Sequence, residues 1–388
     1  MKLVTANEQS TGMVYITFND APSGIYFSQV TDVCRYLSSE FNIRIRLLAF
    51  ISIRSFGADR SAIKAEFPDA IVIPMIPKLR LWRFNALTLF FIVLFLRPFK
   101  IIARGPYATR LALAMRSISL TNCVCFDARG AYAAELNEYE VVENAALKKE
   151  IRGLEKEVLE KSDFRLAVSS ALVNYWKSTY GYSGQNHVVI PCTLASDFLR
   201  ELPSEKVSGE ARSALGFGPS DVVLVYSGSS AGWQSFGMVN EFLCELMQRN
   251  DKIKILFLAK QLPEELRQNA TFSGRLVQRW VKPKEVRALL TACDYGLIIR
   301  EHSVTNAVSS PVKFAEYLSC GLRILISSQI GDYSEFVKLH DCGSVLADRQ
   351  VDFSLSVPAR VEKEYNNKLA RSWFSKSAYR ESYLKLTV

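Results

Sequence analysis

Short apolar runs alternate with amphipathic segments along most of this 388-residue chain. Apolar runs of about four to eight residues predict strands, and segments whose apolar residues recur every three or four positions predict helices. In the first half we predict strands at 13–19, 45–51, 70–73, 100–103, 123–126 and 165–168. The helices between them include 28–39 and 140–161, and the apolar run 188–192 ends this half.

A second series of strands and helices follows the polar stretch 196–220. Its strands are predicted at 222–226, 253–259, 276–280, 295–299 and 323–327, and its helices at 234–247, 283–293 and 311–319. Strands that alternate with helices form parallel sheets covered on both faces. The chain is therefore predicted to be an α/β protein with two doubly wound, Rossmann-like domains, 1–190 and 191–371, facing each other across a cleft. A terminal helix, 372–388, is expected to return to the first domain.

The most apolar stretch of the chain is 84–96. At about 1.5 Å per residue its helix would be roughly 20 Å long, which is short of a bilayer core of about 30 Å. The pattern favours a buried helix that leads into a strand. The alternative is an element on the membrane surface, because basic residues flank the run and basic residues beside apolar ones favour anionic lipid. These residues are Lys78, Arg80, Arg83, Arg97 and Lys100.

Composition excludes a disordered chain, because 49% of the residues are hydrophobic and 22% are charged. The net charge is +9, and its distribution is uneven: residues 1–116 contain 15 basic and 7 acidic residues. A basic protein suits anionic partners, among them nucleic acids, phosphorylated metabolites and membrane surfaces. Most of the positive charge lies in the first third of the chain.

The eight cysteines are scattered without a CxxC pair, which is typical of buried thiols in a reducing cytoplasm. The three histidines are far apart in the sequence, so we expect no metal site. The first 19 residues lack the basic start and unbroken apolar core of a secretory leader. These features predict a cytoplasmic protein without a metal or cofactor.

The segment 309–321 contains the most informative residues. Ser310 followed by Pro311 predicts a helix start, with Ser310 as the capping residue, and Gly321 predicts its end. Such a helix start, placed after the strand 295–299, can bind phosphate through backbone N–H groups and the helix dipole. Lys313 and Glu316 are three positions apart and therefore share a face. They suit a diphosphate and a ribose respectively, although a surface Lys–Glu pair has the same spacing.

The run Ser310-Pro311-Val312-Lys313-Phe314-Ala315-Glu316-Tyr317-Leu318, with Cys320-Gly321, resembles the donor-site helix of GT-B glycosyltransferases of family 4. The likeness is greatest to members that build bacterial capsule and surface polysaccharide. Further segments resemble the family in order and spacing: 294–301, 225–229 with Trp233-Gln234, 126–130, 102–106 and 163–170. The resemblance covers most of the chain and implies the GT-B fold.

The resemblance also implies roles for particular residues. Arg300 and Lys313 would stabilise charge on the leaving diphosphate, and Glu301, at the end of the strand 295–299, would replace the first Glu that the family usually has before Glu316. The donor would be bound by Gly228, Ser229, Gln234, Trp280, Val281, Asn306, Ser310, Pro311, Val312 and Glu316. The acceptor side of the cleft would contain Ser23, Gly24, Tyr26, Arg104, Asp127 and Arg129.

The implied activity is transfer of a sugar from a nucleotide-sugar, with retention of configuration, to a glycan or lipid-linked diphosphate acceptor. The acceptor is expected at the inner face of the cytoplasmic membrane. The basic, partly apolar first third suits contact with an anionic membrane or a lipid phosphate. Nucleic-acid binding is not favoured, because the chain lacks an aromatic and basic motif of a known module.

The chain departs from the family at three places, which leaves two alternatives open. Val308 stands where the family usually has a first Glu, neutral residues around Ser229 and Gln234 replace a basic pair, and residues 127–129 replace a His. One alternative is a sugar-nucleotide epimerase of the same fold. The other is a partner subunit that keeps the fold without catalysis.

Overall fold

A computed structural model describes residues 12–76, 79–139, 145–228, 235–346 and 354–388. Within these ranges, strands form two parallel sheets. The first sheet contains β1 (Met13–Phe18), β2 (Ile45–Ser52), β3 (Ile71–Met75), β4 (Lys100–Arg104), β5 (Cys123–Ala128), β6 (Phe164–Ala167) and β7 (His187–Val189). The second contains β8 (Val222–Ser227), β9 (Ile253–Leu258), β10 (Leu276–Arg279), β11 (Tyr295–Ile298), β12 (Arg323–Ser327) and β13 (Gly343–Leu346).

Helices connect the strands. Those of the first half are α1 (Gly24–Tyr26), α2 (Asp32–Phe41), α3 (Phe56–Glu66), α4 (Asn85–Leu96), α5 (Gly105–Ser117), α6 (Tyr132–Glu138), α7 (Ala145–Lys161) and α8 (Ser170–Tyr180). A π-helix, Phe27–Thr31, joins α1 to α2, and a 3₁₀ turn, Leu79–Phe84, precedes α4. Those of the second half are α9 (Glu205–Ala214), α10 (Phe236–Arg249), α11 (Glu264–Arg267), α12 (Pro283–Leu290), α13 (Val304–Ala307), α14 (Val312–Ser319), α15 (Tyr333–His340), α16 (Arg360–Phe374) and α17 (Arg380–Leu384). Further 3₁₀ turns lie at Ser196–Leu199, Ala270–Phe272 and Ser377–Tyr379.

The order of strands reverses once in each sheet. The first sheet runs β3-β2-β1-β4-β5-β6-β7 and the second β10-β9-β8-β11-β12-β13. Chain connections therefore leave in opposite directions from β1 and β4, and likewise from β8 and β11. Ligands of open α/β sheets bind in the crevice beyond the carboxyl ends of the strands at this reversal.

Both faces of each sheet are covered by apolar clusters, and the alternation of side chains in β1 illustrates this for the first sheet. Val14 and Ile16 pack into one apolar cluster with residues of α4, α5, α7 and α8. Met13 and Tyr15 point the other way and pack with residues of α2 and α3. The predicted α/β architecture of two doubly wound, Rossmann-like domains is confirmed.

The chain end differs from the single helix predicted over 372–388. Helix α16 already begins at Arg360 and packs into the second domain's core through Leu369 and Phe374. It ends at Phe374, and α17 follows after a 3₁₀ turn. Tyr383 then packs into the first domain's core, with its ring 5.2 Å from that of Tyr36. The apolar pattern of this tail therefore serves two cores, and the break between helices lies where the chain passes from one to the other.

The apolar run 84–96 forms α4 and leads into β4, but the prediction that this helix is buried is wrong. Asn85, Leu89 and Val93 are buried, whereas Leu87 and Phe91 are among its exposed residues. Because α4 packs against α5 along one side, only the stripe that recurs every four residues is fully buried.

Two carboxylates cross between the domains to cap helices, and we call them the exchanged caps. Glu138 of the first domain accepts from the first two N–H groups of α13 at 2.7 and 2.9 Å. Asp332 of the second domain accepts from the N–H groups of Ser170 and Ala171, at the start of α8, at 2.7 and 3.0 Å. Each carboxylate accepts from backbone N–H groups that have no partner within their own helix, and it places a negative charge at the positive end of the helix dipole.

Val308, at the position of the missing Glu, takes part in the same interface. Its side chain is buried in the apolar cluster of the first domain. Its carbonyl oxygen accepts a hydrogen bond from Ser169 Oγ at 2.7 Å. The apolar residue at this position therefore joins the two domains.

Burial of Lys376 makes stability depend on pH in a defined window. Its Nζ donates to the carbonyl oxygen of Leu194 at 3.0 Å, and burial, partly opposed by Asp32, lowers its pKa from 10.5 to about 8. Between about pH 8 and 10 the unfolded chain binds more protons at this site, so the free energy of unfolding contributed there rises with pH. We therefore expect the free energy of unfolding of the native chain, minus that of Lys376→Met, to rise by about 1–2 kcal/mol between about pH 7.5 and 9.5. Denaturant titration at each pH measures this difference. A fall in this difference over the same pH range would contradict the lowered pKa of Lys376.

Candidate functional site

In the second domain, Gly228 and Arg300 flank the crevice where the strand order reverses. Gly228 follows β8, and Arg300 comes shortly after β11. The backbone N–H of Arg300 donates to Ser327 Oγ at 2.9 Å, at the end of β12. The guanidinium Nη1 donates to Asn306 Oδ1 at 3.4 Å. These bonds hold the arginine at the carboxyl edge of three neighbouring strands.

The guanidinium of Arg300 is a cation without a carboxylate partner in the described part of the chain. Its Nε is buried, and none of the described residues accepts a hydrogen bond from it. Burial lowers the pKa of Arg300, and the nearby Tyr226 and Tyr139 only partly oppose this. A buried cation held without a counter-ion is costly unless an anion binds beside it.

The start of α14 differs from the expected cap. Pro311 is itself the N-cap residue, with φ −66° and ψ 117°, and the helix begins at Val312. Ser310 Oγ does not cap the helix. It accepts from the backbone N–H of Cys192 at 2.8 Å and lies 2.7 Å from the hydroxyl of Tyr333. The predicted capping role of Ser310 is therefore wrong, because its hydroxyl is used to join the interdomain link to the second domain.

Lys313 and Glu316 share a face of α14, as their spacing predicts. Lys313 Nζ lies 2.7 Å from Glu316 Oε2, and both side chains are partly buried. These two charges neutralise each other. A nucleotide that binds Lys313 or Glu316 would therefore first have to break the contact between them.

Asn306 and Glu301 lie beside Arg300 but contribute differently. Asn306 is buried, and besides Arg300 it contacts the carbonyl of Glu301 at 3.1 Å and the hydroxyl of Tyr139 at 3.2 Å. It therefore orients Arg300 and links it to the first domain. The side chain of Glu301 is exposed, and its backbone N–H donates to Ser235 Oγ at 2.9 Å.

The remaining predicted donor residues are spread along the same edge. Trp280 follows β10 and is largely exposed, so its indole is not used in core packing. Val281 and Gly228 are half-buried, whereas Val312 is buried. Ser229 and Gln234 lie outside the described residues.

In the first domain a cavity of about 240 Å³ lies at the reversal between β1 and β4. Of the predicted acceptor-side residues, Arg104 and Arg129 line it. Its walls combine polar groups with aromatic rings: Phe18, Asn19, Asp20, Leu79, Arg104, Gly105, Pro106, Tyr107, Phe126, Ala128, Arg129, Gly130, Tyr132 and Glu135. Carboxylates, arginines and aromatic rings around one cavity suit a ligand with several hydroxyl groups.

Asp127 organises both arginines from below the cavity. The buried carboxylate of Asp127 lies 3.6 Å from Arg104 Nη1 and 3.3 Å from Arg129 Nη1, and it accepts from the hydroxyl of Tyr15. Although burial opposes the charge, the Asp127 carboxylate raises the pKa of Arg129. Burial, with a further contribution from Asp127, raises the pKa of Tyr15. Asp127 therefore positions the arginines and is itself closed to a ligand.

Ser23, Gly24 and Tyr26 form the turn after β1. Ser23 Oγ caps α1 by accepting from the Tyr26 N–H at 3.2 Å. The hydroxyl of Tyr26 is buried 3.2 Å from Thr17 Oγ1. A Cβ added to Gly24 would meet no protein atom, so packing does not require glycine at this position.

The sequence analysis missed two residues of this cluster, Asp20 and Gln29. Asp20 lines the cavity 3.3 Å from Arg104 Nε, and burial raises its pKa. Asp20 comes directly after the predicted strand 13–19, and a polar residue at the end of such a strand indicates a candidate ligand-binding residue. Gln29 accepts from Arg129 Nη2 at 3.1 Å and bonds both backbone groups of Thr193. That role depends on contacts 100 and 164 positions away in the sequence, so local spacing gave no indication of it.

A metal site is not evident in the described ranges, where no group of three or more His, Cys, Asp or Glu side chains is arranged to hold an ion. The expectation that the protein needs no metal or cofactor stays a prediction.

Solved structures with the same fold are numerous. Neither models of protein families nor curated protein sequences match this chain. The structure of Anabaena HepE in complex with UDP superimposes with a TM-score of 0.70 at 13% identity, covering 97% of this chain and 99% of that one. A glycosyltransferase from Rickettsia africae gives 0.69 at 14% identity, covering 98% and 99%.

The chain has the GT-B fold. Two Rossmann-like domains and full-length similarity to solved glycosyltransferases confirm the predicted fold class. The fold by itself does not fix the reaction, since the N-terminal domain of Candida albicans trehalose-6-phosphate phosphatase is also similar, with a TM-score of 0.65 at 10% identity, covering 97% of both chains.

Proposed function

We propose that this protein is a retaining glycosyltransferase of family 4. It would move a sugar from a nucleotide-sugar to a glycan or lipid-linked glycan acceptor in the synthesis of bacterial surface polysaccharide. The observation that carries the proposal is Arg300, a buried cation without a carboxylate partner among the described residues, at the sheet reversal of the second domain. A departing nucleoside diphosphate would supply the missing negative charge.

On the donor side, Arg300 and the backbone N–H groups at the start of α14 would bind the diphosphate. Fixed donors aimed at developing charge commonly supply the largest part of transition-state stabilisation. Lys313 would add a second cation once the diphosphate replaces Glu316 as its partner. The Glu316 carboxylate would then be free to accept hydrogen bonds from the ribose hydroxyls. The exposed ring of Trp280 would stack on the base.

On the acceptor side, the sugar would lie in the cavity of the first domain. Asp20 and Glu135 offer carboxylates to sugar hydroxyls, and the rings of Tyr107 and Tyr132, with centroids 5.8 Å apart, offer apolar surfaces. Arg104 and Arg129 would hold an acceptor phosphate.

Retention of configuration would follow from attack on the face that the leaving group vacates. The bond from the anomeric carbon to the diphosphate oxygen breaks, the bond to the acceptor oxygen forms, and the acceptor proton passes to the departing phosphate. This route needs no protein nucleophile. It is supported by the state of Asp127, whose carboxylate is buried and already bonded to Tyr15 and two arginines. Domain closure would exclude water from the donor.

Removing the carboxylate of Glu316 tests the donor site. We expect Glu316→Ala to weaken donor binding by about 10- to 100-fold, because hydrogen bonds to a charged group contribute about 1.5–3 kcal/mol. A thermal-shift screen over UDP-, GDP-, ADP- and CMP-sugars identifies the donor, since a ligand raises apparent stability by mass action. Binding is then measured by calorimetry, and slow hydrolysis by release of nucleoside diphosphate.

Glu335→Ala is the matched control, because Glu335 forms an equivalent pair with Lys338, also at 2.7 Å and three positions apart, on the surface of α15. This variant should bind the donor normally. Unaltered binding in Glu316→Ala would refute the donor site. An epimeric nucleotide-sugar among the products would establish the epimerase, and donor binding without turnover on any acceptor would establish a non-catalytic subunit.

A further inference from the structure

Helix α4 and the turn before it expose an apolar face that the fold leaves uncovered. Phe95, Leu87 and Phe91 are 89%, 66% and 60% exposed. We call this surface the α4 face, and its exposed members are Leu81, Phe84, Leu87, Phe91, Leu94 and Phe95. Isolated exposed apolar side chains are ordinary, but a contiguous group of this kind marks an interaction surface.

The spacing of these residues places them on one side of the helix. Positions 84, 87, 91, 94 and 95 are three or four residues apart, opposite the buried Asn85, Leu89 and Val93. The helix is about 18 Å long at 1.5 Å per residue, whereas a bilayer core is about 30 Å thick. Among the residues that the structure covers, no helix is long and apolar enough to span a membrane.

Basic side chains border both ends of the α4 face. Arg83, at the start, is exposed, and its 3.0 Å contact with Glu150 is a surface pair that can exchange partners at little cost. Arg97, at the end, is exposed and has a φ of 45°, so the backbone turns there and the apolar stripe stops. Residues 1–116 carry 15 basic and 7 acidic residues. An apolar stripe with a basic border fits an interface of acyl chains and anionic headgroups.

We propose that the α4 face docks on the surface of an anionic lipid bilayer, with its phenylalanine and leucine side chains among the acyl chains and its arginines at the headgroups. A second copy of the chain is the less favourable occupant. In a two-fold dimer on this face, Arg83 and Arg97 of both copies would lie around one apolar patch. Such like charges repel, whereas anionic headgroups neutralise them.

Docking would bring the first-domain cavity close to the lipid. Leu79, on the same turn as Leu81, lines the cavity, and the ring of Trp82 lies 5.3 Å from that of Tyr107, another lining residue. An acceptor with a lipid tail could therefore enter from the membrane. This last step rests on the proposed function, whereas the docking does not.

Vesicle co-sedimentation tests the proposal with the full chain and phosphatidylcholine vesicles, with and without phosphatidylglycerol. We expect at least about tenfold more binding to the anionic vesicles, reduced by high salt. The double variant Phe91→Ser, Phe95→Ser should bind the anionic vesicles at least about tenfold more weakly than the native chain. Arg97→Asn should bind them about fivefold more weakly. Asparagine is chosen because it tolerates the left-handed backbone at this position.

The control is Leu339→Ser, which removes an equally exposed apolar side chain (79%) from the second domain and should bind like the native chain. Thermal melts and donor hydrolysis should be unchanged in the double variant, so this test does not depend on the donor site. Equal binding to neutral and anionic vesicles, or full binding by the double variant, would overturn the proposal. So would a dimer in sedimentation velocity that the double variant abolishes, since it would assign the face to a second copy.

Discussion

Arg300→Met should lower kcat by about 10²- to 10³-fold while leaving the folded protein at least as stable as the native chain. The loss of turnover follows because the guanidinium would stabilise charge that develops on the leaving diphosphate, an effect of about 3–4 kcal/mol. The stability follows because methionine replaces a buried cation whose Nε has no acceptor among the described residues. Steady-state kinetics with the identified donor and a denaturant titration measure the two quantities.

Arg323→Met provides the control, because Arg323 is a paired arginine of the same sheet. It lies 2.9 Å from Glu362 and 3.3 Å from Asp341. Its replacement should lower stability by up to about 1 kcal/mol and leave kcat unchanged. Retained turnover in Arg300→Met would refute a role of Arg300 in binding the leaving group. A loss of stability would show instead that the fold compensates its buried charge.

Asp294→Asn should lower the free energy of unfolding by about 3–5 kcal/mol, the largest stability effect that we expect from one substitution. The Asp294 carboxylate is fully buried. It lies 2.9 Å from Arg212 Nη2 and 2.7 Å from Lys363 Nζ, and it accepts from the backbone N–H of Val223 at 2.9 Å. An amide keeps the shape and the backbone bond but leaves two cations without their counter-ion.

Calorimetry measures the effect as a fall in Tm of roughly 10 °C, at about 2–4 °C per kcal/mol for a domain of this size. Glu335→Ala, already the control for the donor site, breaks an exposed pair and should change stability by less than about 0.5 kcal/mol. A fall of less than about 1 kcal/mol for Asp294→Asn would mean that the buried cations find other partners.

The fold could be predicted because its strands are buried on both faces. A strand such as β9, predicted at 253–259 and found at Ile253–Leu258, is almost continuously apolar. Such runs between amphipathic helices specify parallel sheets without knowledge of any long-range contact. Within the predicted helix 28–39, however, the chain forms a π-helix and then α2. The wider turn brings Gln29 to Thr193, a contact that hydrophobic spacing does not encode.

The candidate site could be predicted only where local spacing determines geometry. Lys313 and Glu316 meet because residues three apart on a helix are neighbours. Ser310 has the sequence environment of an N-cap, yet its hydroxyl bonds Cys192, 118 positions earlier in the chain. The burial of Arg300 and the cluster around Asp127 likewise depend on the packing of several strands. Whether these residues bind a donor and an acceptor stays a prediction.

The exchanged caps described above have a consequence for the movement of the cleft. Glu138 and Asp332 hold the domains together through hydrogen bonds to helix ends, and helix ends are groups that water also satisfies well. Separating the domains at these points exchanges protein partners for water at a net cost of about 1.5–3 kcal/mol per hydrogen bond, because a charged carboxylate accepts each one. If the domains open and close during the proposed reaction, we therefore expect these bonds to re-form in the same register each time.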